Sequence, residues 1–287
     1  MIARLTAAAL WLVHWLPFSA LTAIGKALGS LLYRVAGSRR RVGQTNLQLC
    51  FPEMPAAERE RILRAHFQYL ACMLLEYGYC WFASRERLRE MMRIEGLEHL
   101  TAQEGKPVIL CIGHFTGLDM AGLRVSLDTP VVSIYSRQKD EGLDAYVEQK
   151  RLRFDTGIIL SRQAGVRPAL KALKQGYRFY YLPDQDFGAR DSVFAHFFGV
   201  KAATITALSR LAKASGAVVL PCYPRREANG YTLVIEPPLS DFPGEDLLED
   251  AERMNRILEG HVLKQPEQYF WLHKRFKTRP EGEAGYY

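Results

Sequence analysis

A histidine and an aspartate stand five positions apart in the stretch CIGHFTGLDM, which runs from Cys111 to Met120. An imidazole can take up a proton near neutral pH, and a carboxylate that holds one ring nitrogen orients the other as a base. Residues five apart on one helix point about 140° away from each other. His114 and Asp119 therefore meet only if His114 lies in a loop and Asp119 in the first turn of a helix. Glycines at 113 and 117 permit the tight backbone that this requires.

A helix cap is the structural interpretation of the same residues. Thr116, followed three residues later by Asp119, is a variant of the capping box with Thr116 as the N-cap. Asp119 would then only stabilise the start of a helix. Because the spacing of a histidine and an aspartate is a weak signal by itself, the sequence of this stretch leaves both interpretations open.

The elements that would position this loop alternate along the chain from residue 93 onward. Short apolar runs typical of strands lie at 107–113, 130–135, 178–183, 217–223 and 231–237, and stretches with helical periodicity separate them. The helical spacing of apolar residues over 55–82 predicts one further, long helix. The alternation predicts an α/β fold with a mostly parallel central sheet flanked by helices. His114 would follow the strand at 107–113, at the carboxyl end of the sheet, where open α/β sheets bind their ligands.

The composition is that of a globular protein with a basic surface. The 287 residues are 48% apolar and carry a formal net charge of +7. This charge favours anionic partners, among them phospholipid head groups, phosphorylated sugars, nucleic acid and acidic carrier proteins. The five cysteines form no Cys-x-x-Cys pair, which argues against a disulfide framework and a structural zinc site. The sequence has neither a Gly-rich nucleotide loop nor a Gly-x-Ser-x-Gly elbow, and we expect no cofactor and no metal.

An uncharged apolar stretch precedes the α/β region. No charged residue lies between Arg4 and Lys26, and residues 5–25 would be about 31 Å long as a helix, which matches a hydrocarbon core. The basic sequence SRRR follows at 38–41, and positive charge stays on the cytoplasmic side of a membrane. We expect residues 1–36 to form a membrane-anchoring helix region and residues 37–287 to form a cytoplasmic catalytic domain. An interfacial helix and a cleaved signal peptide are the alternatives.

Longer motifs add a more specific signal. They are NLQLCFPEM at 46–54, GHFTGLDM at 113–120, YYLPDQDFGARDSVFAHFFG at 180–199, VLPCYPRR at 219–226 and PEQYFWLHKRFKTRPEG at 266–282. Together with the apolar N-terminus they resemble the lipid A late acyltransferases of Gram-negative bacteria, within the glycerolipid and lysophospholipid acyltransferase superfamily. The resemblance covers nearly the whole chain and implies a glycerolipid-acyltransferase-like fold. The better-known enterobacterial members carry Glu at the position of Asp119.

This resemblance implies transfer of an acyl chain from an acyl carrier protein thioester to a hydroxyl of a lipid A precursor of the Kdo-lipid IVA type, in lipopolysaccharide biosynthesis. His114 would be the general base that takes the hydroxyl proton. Asp119 would fix the tautomer of its ring and stabilise the imidazolium. The expected partners are acyl carrier protein, a phosphorylated glycolipid acceptor and the anionic inner membrane, with no nucleic acid.

Arginines are the candidates for binding the phosphorylated acceptor, because the guanidinium fork can donate to two phosphate oxygens. The resemblance implies substrate contacts at Arg137 and Arg190. Arg151 and Arg153 in KRLRF are further candidates, and a solvated helix face is their structural alternative.

Two acids of the LPDQD segment complete the predicted substrate site. Asp184 matches a functionally important acid of the family, and its structural alternative is a turn residue after Pro183. Asp186 belongs to the same segment. In the C-terminal motif, His273 would contact the sugar or the carrier protein, or simply pack.

Three other functions compete with lipid A acylation. The chain would be an acyltransferase of the same superfamily that acts on a lysophospholipid, an amino-acid lipid or another lipid. Alternatively, the same dyad would activate water in a membrane-bound esterase or thioesterase. A non-catalytic basic membrane adaptor does not account for the spacing of His114 and Asp119.

Overall fold

A computed structural model describes residues 2–135, 140–154, 156–161 and 165–287 of the chain. Its nine strands within these ranges are β1 (Met92–Glu95), β2 (Val108–Ile112), β3 (Val131–Tyr135), β4 (Gly157–Ser161), β5 (Arg178–Tyr181), β6 (Ser192–Phe197), β7 (Val200–Ile205), β8 (Val218–Glu227) and β9 (Gly230–Ile235).

Seven of these strands form the central sheet in the order β1-β9-β8-β2-β5-β3-β4, and β6 pairs with β7 in a separate antiparallel ribbon. The neighbours from β8 to β4 are parallel, whereas β9 runs antiparallel to β8 and β1 runs parallel to β9. The predicted α/β fold with a mostly parallel sheet is confirmed. All five strands expected from apolar runs are present.

The helices are α1 (Ile2–Val13), α2 (Phe18–Val35), α3 (Gly37–Cys50), α4 (Ala56–Phe82), α5 (Arg85–Met91), α6 (Leu97–Thr101), α7 (Leu118–Ser126), α8 (Glu141–Arg151), α9 (Arg167–Lys174), α10 (Ala207–Ser215) and α11 (Leu247–Lys264), followed by a 3-10 turn at Pro266–Gln268. The helix predicted over 55–82 matches α4. Those predicted between the strands match α7, α8, α9 and α10.

The N-terminal apolar stretch folds as two helices, so the prediction of one continuous helix over residues 5–25 is wrong. The break lies at residues 14–17, between α1 and α2. Pro17 has no backbone N–H and adopts φ −59° and ψ 148°, an extended conformation that ends one helix and precedes the next. His14 turns its ring Nδ1 back onto the carbonyl of Trp11. In the described part of the chain, no helix combines the length and the apolar character needed to cross a bilayer.

The helix α2 has two different faces. Gly25 and Gly29 lie against α4, and a Cβ atom at Gly29 would overlap the backbone of Phe67 and Gln68. A neighbouring face of the same helix is exposed and apolar, with Ile24, Leu28, Leu31 and Val35 between 45% and 71% exposed. The glycines therefore allow a close helix–helix contact that directs this apolar face outward.

The N-terminal helices share the core of the sheet. Leu10, Phe18 and Leu21 belong to the same buried cluster as Leu110 of β2. A buried ion pair spans the junction: Arg226 of β8 donates to Glu76 of α4 at 2.7 Å, and it also donates to Thr22 of α2 at 3.0 Å. The predicted division into residues 1–36 and 37–287 stays a prediction.

Gly29→Ala tests the α2–α4 contact. We expect a loss of about 1–3 kcal/mol in the free energy of unfolding, because the added methyl group meets backbone that cannot move aside. Gly260→Ala in α11 is the matched control, since a Cβ there meets no atom within 4 Å and should stabilise the helix by about 0.5–1 kcal/mol. Chemical denaturation of both variants measures the difference. A Gly29→Ala variant as stable as the control would contradict the close contact.

Candidate active site

His114 lies in the loop after β2, at the carboxyl end of the sheet, as predicted. Its backbone N–H donates to Asp184 Oδ2 at 2.8 Å, and its ring Nδ1 lies 2.6 Å from Asp184 Oδ1. Asp184 follows β5, which pairs in parallel with β2 through the register Leu110↔Tyr180. Because neighbouring parallel strands end at the same edge, the two loops meet there, and one carboxylate holds both the backbone and the ring of the histidine.

The contact with Asp184 sets the protonation pattern of the ring. A carboxylate only accepts hydrogen bonds, so Nδ1 carries the proton and Nε2 has its lone pair free. Asp184 is 1% exposed, whereas the His114 side chain keeps 24% exposure. Burial opposes ionisation of Asp184, but the charge and hydrogen bonds of His114, together with the charge of Arg275, hold its pKa below the usual value. The arrangement is a partly exposed base on a buried anion.

Asp119 lies in the first turn of α7, as predicted, but its carboxylate is bound by other partners. Tyr77 Oη donates to Asp119 Oδ2 at 2.6 Å, and Arg151 Nη2 donates to Asp119 Oδ1 at 2.8 Å. The expectation that Asp119 holds the His114 ring is therefore corrected: Asp184 makes that contact. The turn after His114 directs Asp119 toward α4 and α8, which carry its two partners.

The capping-box interpretation of Asp119 is also wrong. The N-cap of α7 is Gly117, and no side chain caps the helix. Thr116 instead turns its hydroxyl to Gln268 Oε1, and its backbone N–H donates to the Gln268 carbonyl at 3.0 Å. The loop is thus tied to the C-terminal segment rather than to its own helix.

The four predicted phosphate-binding arginines differ in their surroundings. Arg151 forms the ion pair with Asp119, and Arg190 is 96% exposed in a loop. Arg153 stacks on the ring of Phe154 at 4.1 Å, and its buried Nε and Nη2 find no hydrogen-bond partner among the residues described. Burial lowers the pKa of Arg153 to about 10, so it remains a cation at neutral pH. Arg137 lies outside the described residues.

Asp186 has a structural position. Its carboxylate accepts from the backbone N–H of Thr278 at 2.7 Å, from the Thr278 hydroxyl at 2.8 Å and from the Gly188 N–H at 2.9 Å. Its own backbone N–H donates to His273 Nε2 at 3.0 Å. Asp186 therefore fastens the C-terminal segment to the loop that carries Asp184.

The C-terminal segment forms one wall of a cleft at the histidine. The Phe270 N–H donates to the His114 carbonyl at 2.8 Å, and His273 and Tyr269 line the cleft together with His114 and Asp184. Sequence analysis assigned no role to Tyr269, although it lies in one of the quoted motifs. It also missed Tyr77. The only indication of Tyr77 in the sequence is the aromatic face of the long helix predicted over residues 55–82. Within the described ranges, no three His, Cys, Asp or Glu side chains are grouped to hold a metal ion.

Comparison with known proteins identifies relatives over nearly the full length. Residues 1–278 match the family model of the bacterial lipid A biosynthesis acyltransferases. The chain is 36% identical to the lipid A biosynthesis lauroyltransferase of Escherichia coli (strain K12) over 283 residues, which cover 97% of this chain and 92% of that protein. It is 34% identical to the palmitoleoyltransferase of the same strain, with the same coverage, and 33% identical to the myristoyltransferase over 89% of this chain and 80% of that protein.

Asp184→Asn tests which carboxylate sets the tautomer of His114. An amide can turn its NH2 group toward Nδ1, which would move the ring proton to Nε2, whereas Asp119→Asn should leave the proton on Nδ1. The ¹⁵N chemical shifts of the imidazole, measured by NMR on both variants, distinguish the tautomers. A tautomer change in Asp119→Asn and none in Asp184→Asn would contradict the contact described above.

Proposed function

The chain belongs to the bacterial lipid A biosynthesis acyltransferase family, and on this premise we propose that it moves a fatty acyl chain from an acyl carrier protein thioester to a hydroxyl of a lipid A precursor of the Kdo-lipid IVA type. The main structural support is the hold of Asp184 on the backbone and ring of His114. The contact leaves Nε2 as a base at the edge of the sheet where ligands bind.

His114 would activate the acceptor hydroxyl, which is a poor nucleophile while it keeps its proton. As the hydroxyl oxygen attacks the thioester carbon, its proton passes to Nε2 and the carbonyl electrons move onto the oxygen. Asp184 stabilises the imidazolium that forms. When the tetrahedral intermediate collapses, the C–S bond breaks and the imidazolium returns the proton to the departing thiolate. The two products are the acylated lipid and the free thiol of the carrier.

Asp119 would have a different role in this mechanism from the one that the sequence predicted. It lies in the motif that contains the base, and its carboxylate is bound by Tyr77 and Arg151. We propose that this anion keeps the Arg151 guanidinium at the site, where the two nitrogens not committed to Asp119 serve the acceptor. A glutamate can make the same ion pair, which accords with the use of Glu at this position in relatives.

The acceptor would carry phosphate groups, and the arginines supply the complementary charge. Arg153 is the best supported of them, because its buried Nε and Nη2 have no hydrogen-bond partner among the described residues, and an unsatisfied buried donor is costly. A phosphate oxygen is a suitable acceptor for them. Arg137 and Arg190 remain proposed phosphate contacts.

We further propose that the protein works on the cytoplasmic side of the bacterial inner membrane and binds it through α1 and α2. Apolar side chains are exposed on both helices, including Trp11, Leu28 and Leu31, and Trp15 is exposed in the break between them. Exposed basic residues flank them, Lys26 among them. Aromatic and apolar residues beside lysine and arginine suit an amphipathic surface that lies in the head-group region of an anionic membrane.

A defined assay tests the reaction. Purified protein receives acyl carrier protein charged with a labelled acyl chain, together with either a phosphorylated disaccharide lipid or a lysophospholipid. We expect His114→Ala to lose at least about 100-fold in rate, the lower end of what a general base contributes, and Asp119→Glu to keep much of the activity. His196→Ala is the control, because His196 is exposed and pairs with Glu252 on the surface.

The products distinguish the competing functions. Transfer to the phosphorylated disaccharide supports the proposal, and preferential acylation of the lysophospholipid would replace its acceptor. Release of free fatty acid alone would assign a thioesterase. Turnover by His114→Ala close to that of His196→Ala would refute the general-base mechanism.

Vesicle binding tests the membrane surface. The double change Leu28→Glu and Leu31→Glu should lower the partition onto phosphatidylglycerol vesicles about tenfold or more, since burial of one leucine contributes about 1.5–3 kcal/mol. Leu263→Glu on α11 is the control, with a leucine that is likewise exposed, at 61%. Co-sedimentation measures the bound fraction, and equal binding by the two variants would rule out this face.

A further inference from the structure

His273 has an orientation that sequence analysis did not anticipate. Its Nε2 accepts a hydrogen bond of 3.0 Å from the backbone N–H of Asp186. A neutral imidazole carries one proton, and a nitrogen that accepts from a backbone amide cannot hold it. The proton of His273 is therefore on Nδ1. No residue in the described ranges forms a hydrogen bond with Nδ1 of His273.

Hydrogen bonds hold both the backbone and the ring of His273. The carbonyl of His273 accepts from Asn46 Nδ2 at 2.7 Å and from the Arg275 N–H at 2.9 Å, and the Asp186 N–H holds the far edge of the ring. His273 lines the same cleft as His114 and Asp184. His114, on the loop after β2, and His273, on the C-terminal segment, therefore both line this cleft.

His273 stays neutral through the physiological range. Burial is the main cause that lowers its pKa to about 4, with further lowering by His114 and Arg275, while Asp184 and Asp186 act in the opposite direction. A neutral ring donates a hydrogen bond without giving up its proton at neutral pH. Its protonation pattern is that of a donor, whereas His114 has the pattern of a base.

We propose that the Nδ1–H of His273 binds the carbonyl oxygen of the acyl thioester and stabilises the oxyanion of the tetrahedral intermediate. This inference rests on the proposed acyl transfer. As the acceptor oxygen bonds to the thioester carbon, the carbonyl electron pair moves to the oxygen, which accepts the hydrogen bond from Nδ1 while His114 holds the acceptor proton. When the C–S bond breaks, the pair returns to the carbonyl and the proton leaves with the thiol. His273 donates a hydrogen bond throughout and transfers no proton.

Two amide substitutions separate the roles of the two ring nitrogens. The amide nitrogen of His273→Asn takes nearly the position of Nδ1 and keeps a donor there. The amide oxygen of His273→Gln approaches the position of Nε2 and keeps the acceptor for the Asp186 N–H. His273→Phe removes both. Comparison of the three reports whether the donor or the structural contact matters.

Steady-state kinetics with acyl carrier protein thioester and phosphorylated disaccharide lipid give kcat and KM for the wild-type protein and the three variants. Their thermal stability is measured in parallel. We expect His273→Gln and His273→Phe to lose about 10²–10³-fold in kcat with KM little changed, the effect of removing one oxyanion donor. His273→Asn should remain within about tenfold of the wild-type protein. An Asn variant no faster than the Gln variant would overturn the proposal. Wild-type protein that transfers no acyl chain would instead overturn the proposed function.

A spectroscopic measurement decides the matter if a variant fails to fold. A long-chain trifluoromethyl ketone analogue of acyl-pantetheine adds water to form a gem-diol, and transfer of one of its hydroxyl protons to His114 would present an oxyanion to His273 in the wild-type protein. The Nδ1 proton resonance of His273 should move downfield when the analogue binds, because its hydrogen bond becomes charge-assisted. Binding of the analogue without a change in that resonance would overturn the assignment of His273.

Discussion

The two-point hold of Asp184 on His114 is the contact on which the site depends. One buried carboxylate accepts from both the backbone N–H and the ring of the histidine. The backbone contact fixes the course of the loop, and the ring contact fixes the tautomer. Neither would exist without the parallel pairing of β2 and β5, which brings together loops that are 70 residues apart along the chain. Sheet topology thus determines the chemistry available at its carboxyl edge.

Two carboxylates share the work that sequence reasoning assigned to one. Asp184 holds the His114 ring, and the carboxylate of Asp119 pairs with Arg151 and accepts from the Tyr77 hydroxyl. The separation has an electrostatic advantage. A second anion on the His114 ring would add repulsion between carboxylates in a buried place, where like charges destabilise each other strongly. Pairing Asp119 with Arg151 instead neutralises its charge.

Local sequence patterns predicted the parts of the fold that depend on local interactions. The run VILCI and the periodicity of residues 55–82 sufficed for β2 and α4, because burial and helical spacing are properties of a short segment. The strand β4 was missed although GIILS carries a short apolar run after a glycine. The error at the N-terminus was avoidable, since Pro17 lies inside the stretch that was taken as one helix.

The partner of His114 was not predictable from spacing. A motif of five residues suggests a local pair, but the choice between Asp119 and Asp184 depends on which loops the sheet brings together. Sequence resemblance pointed to Asp184 as important without revealing its contact. The same limit applies to Asp186, which was expected at the substrate and instead binds Thr278. A sequence motif can identify an important carboxylate. The role of that carboxylate depends on contacts with residues that are distant along the chain.

The C-terminal segment shows why the site is a property of the whole fold. Residues 266–278 contribute a wall of the cleft, yet they form little regular structure of their own. Burial of Trp271, Leu272 and Phe276 in the core fixes their position. Polar contacts add to it: Phe270 and Gln268 bind the histidine loop, and His273 and Thr278 bind Asp186. Fixing the backbone of each residue costs conformational entropy. In a segment without a hydrogen-bonded ladder, contacts of this kind must offset that cost. Because Asp184 and Asp186 lie two residues apart, a single loop after β5 holds both His114 and the C-terminal segment that forms one wall of the cleft.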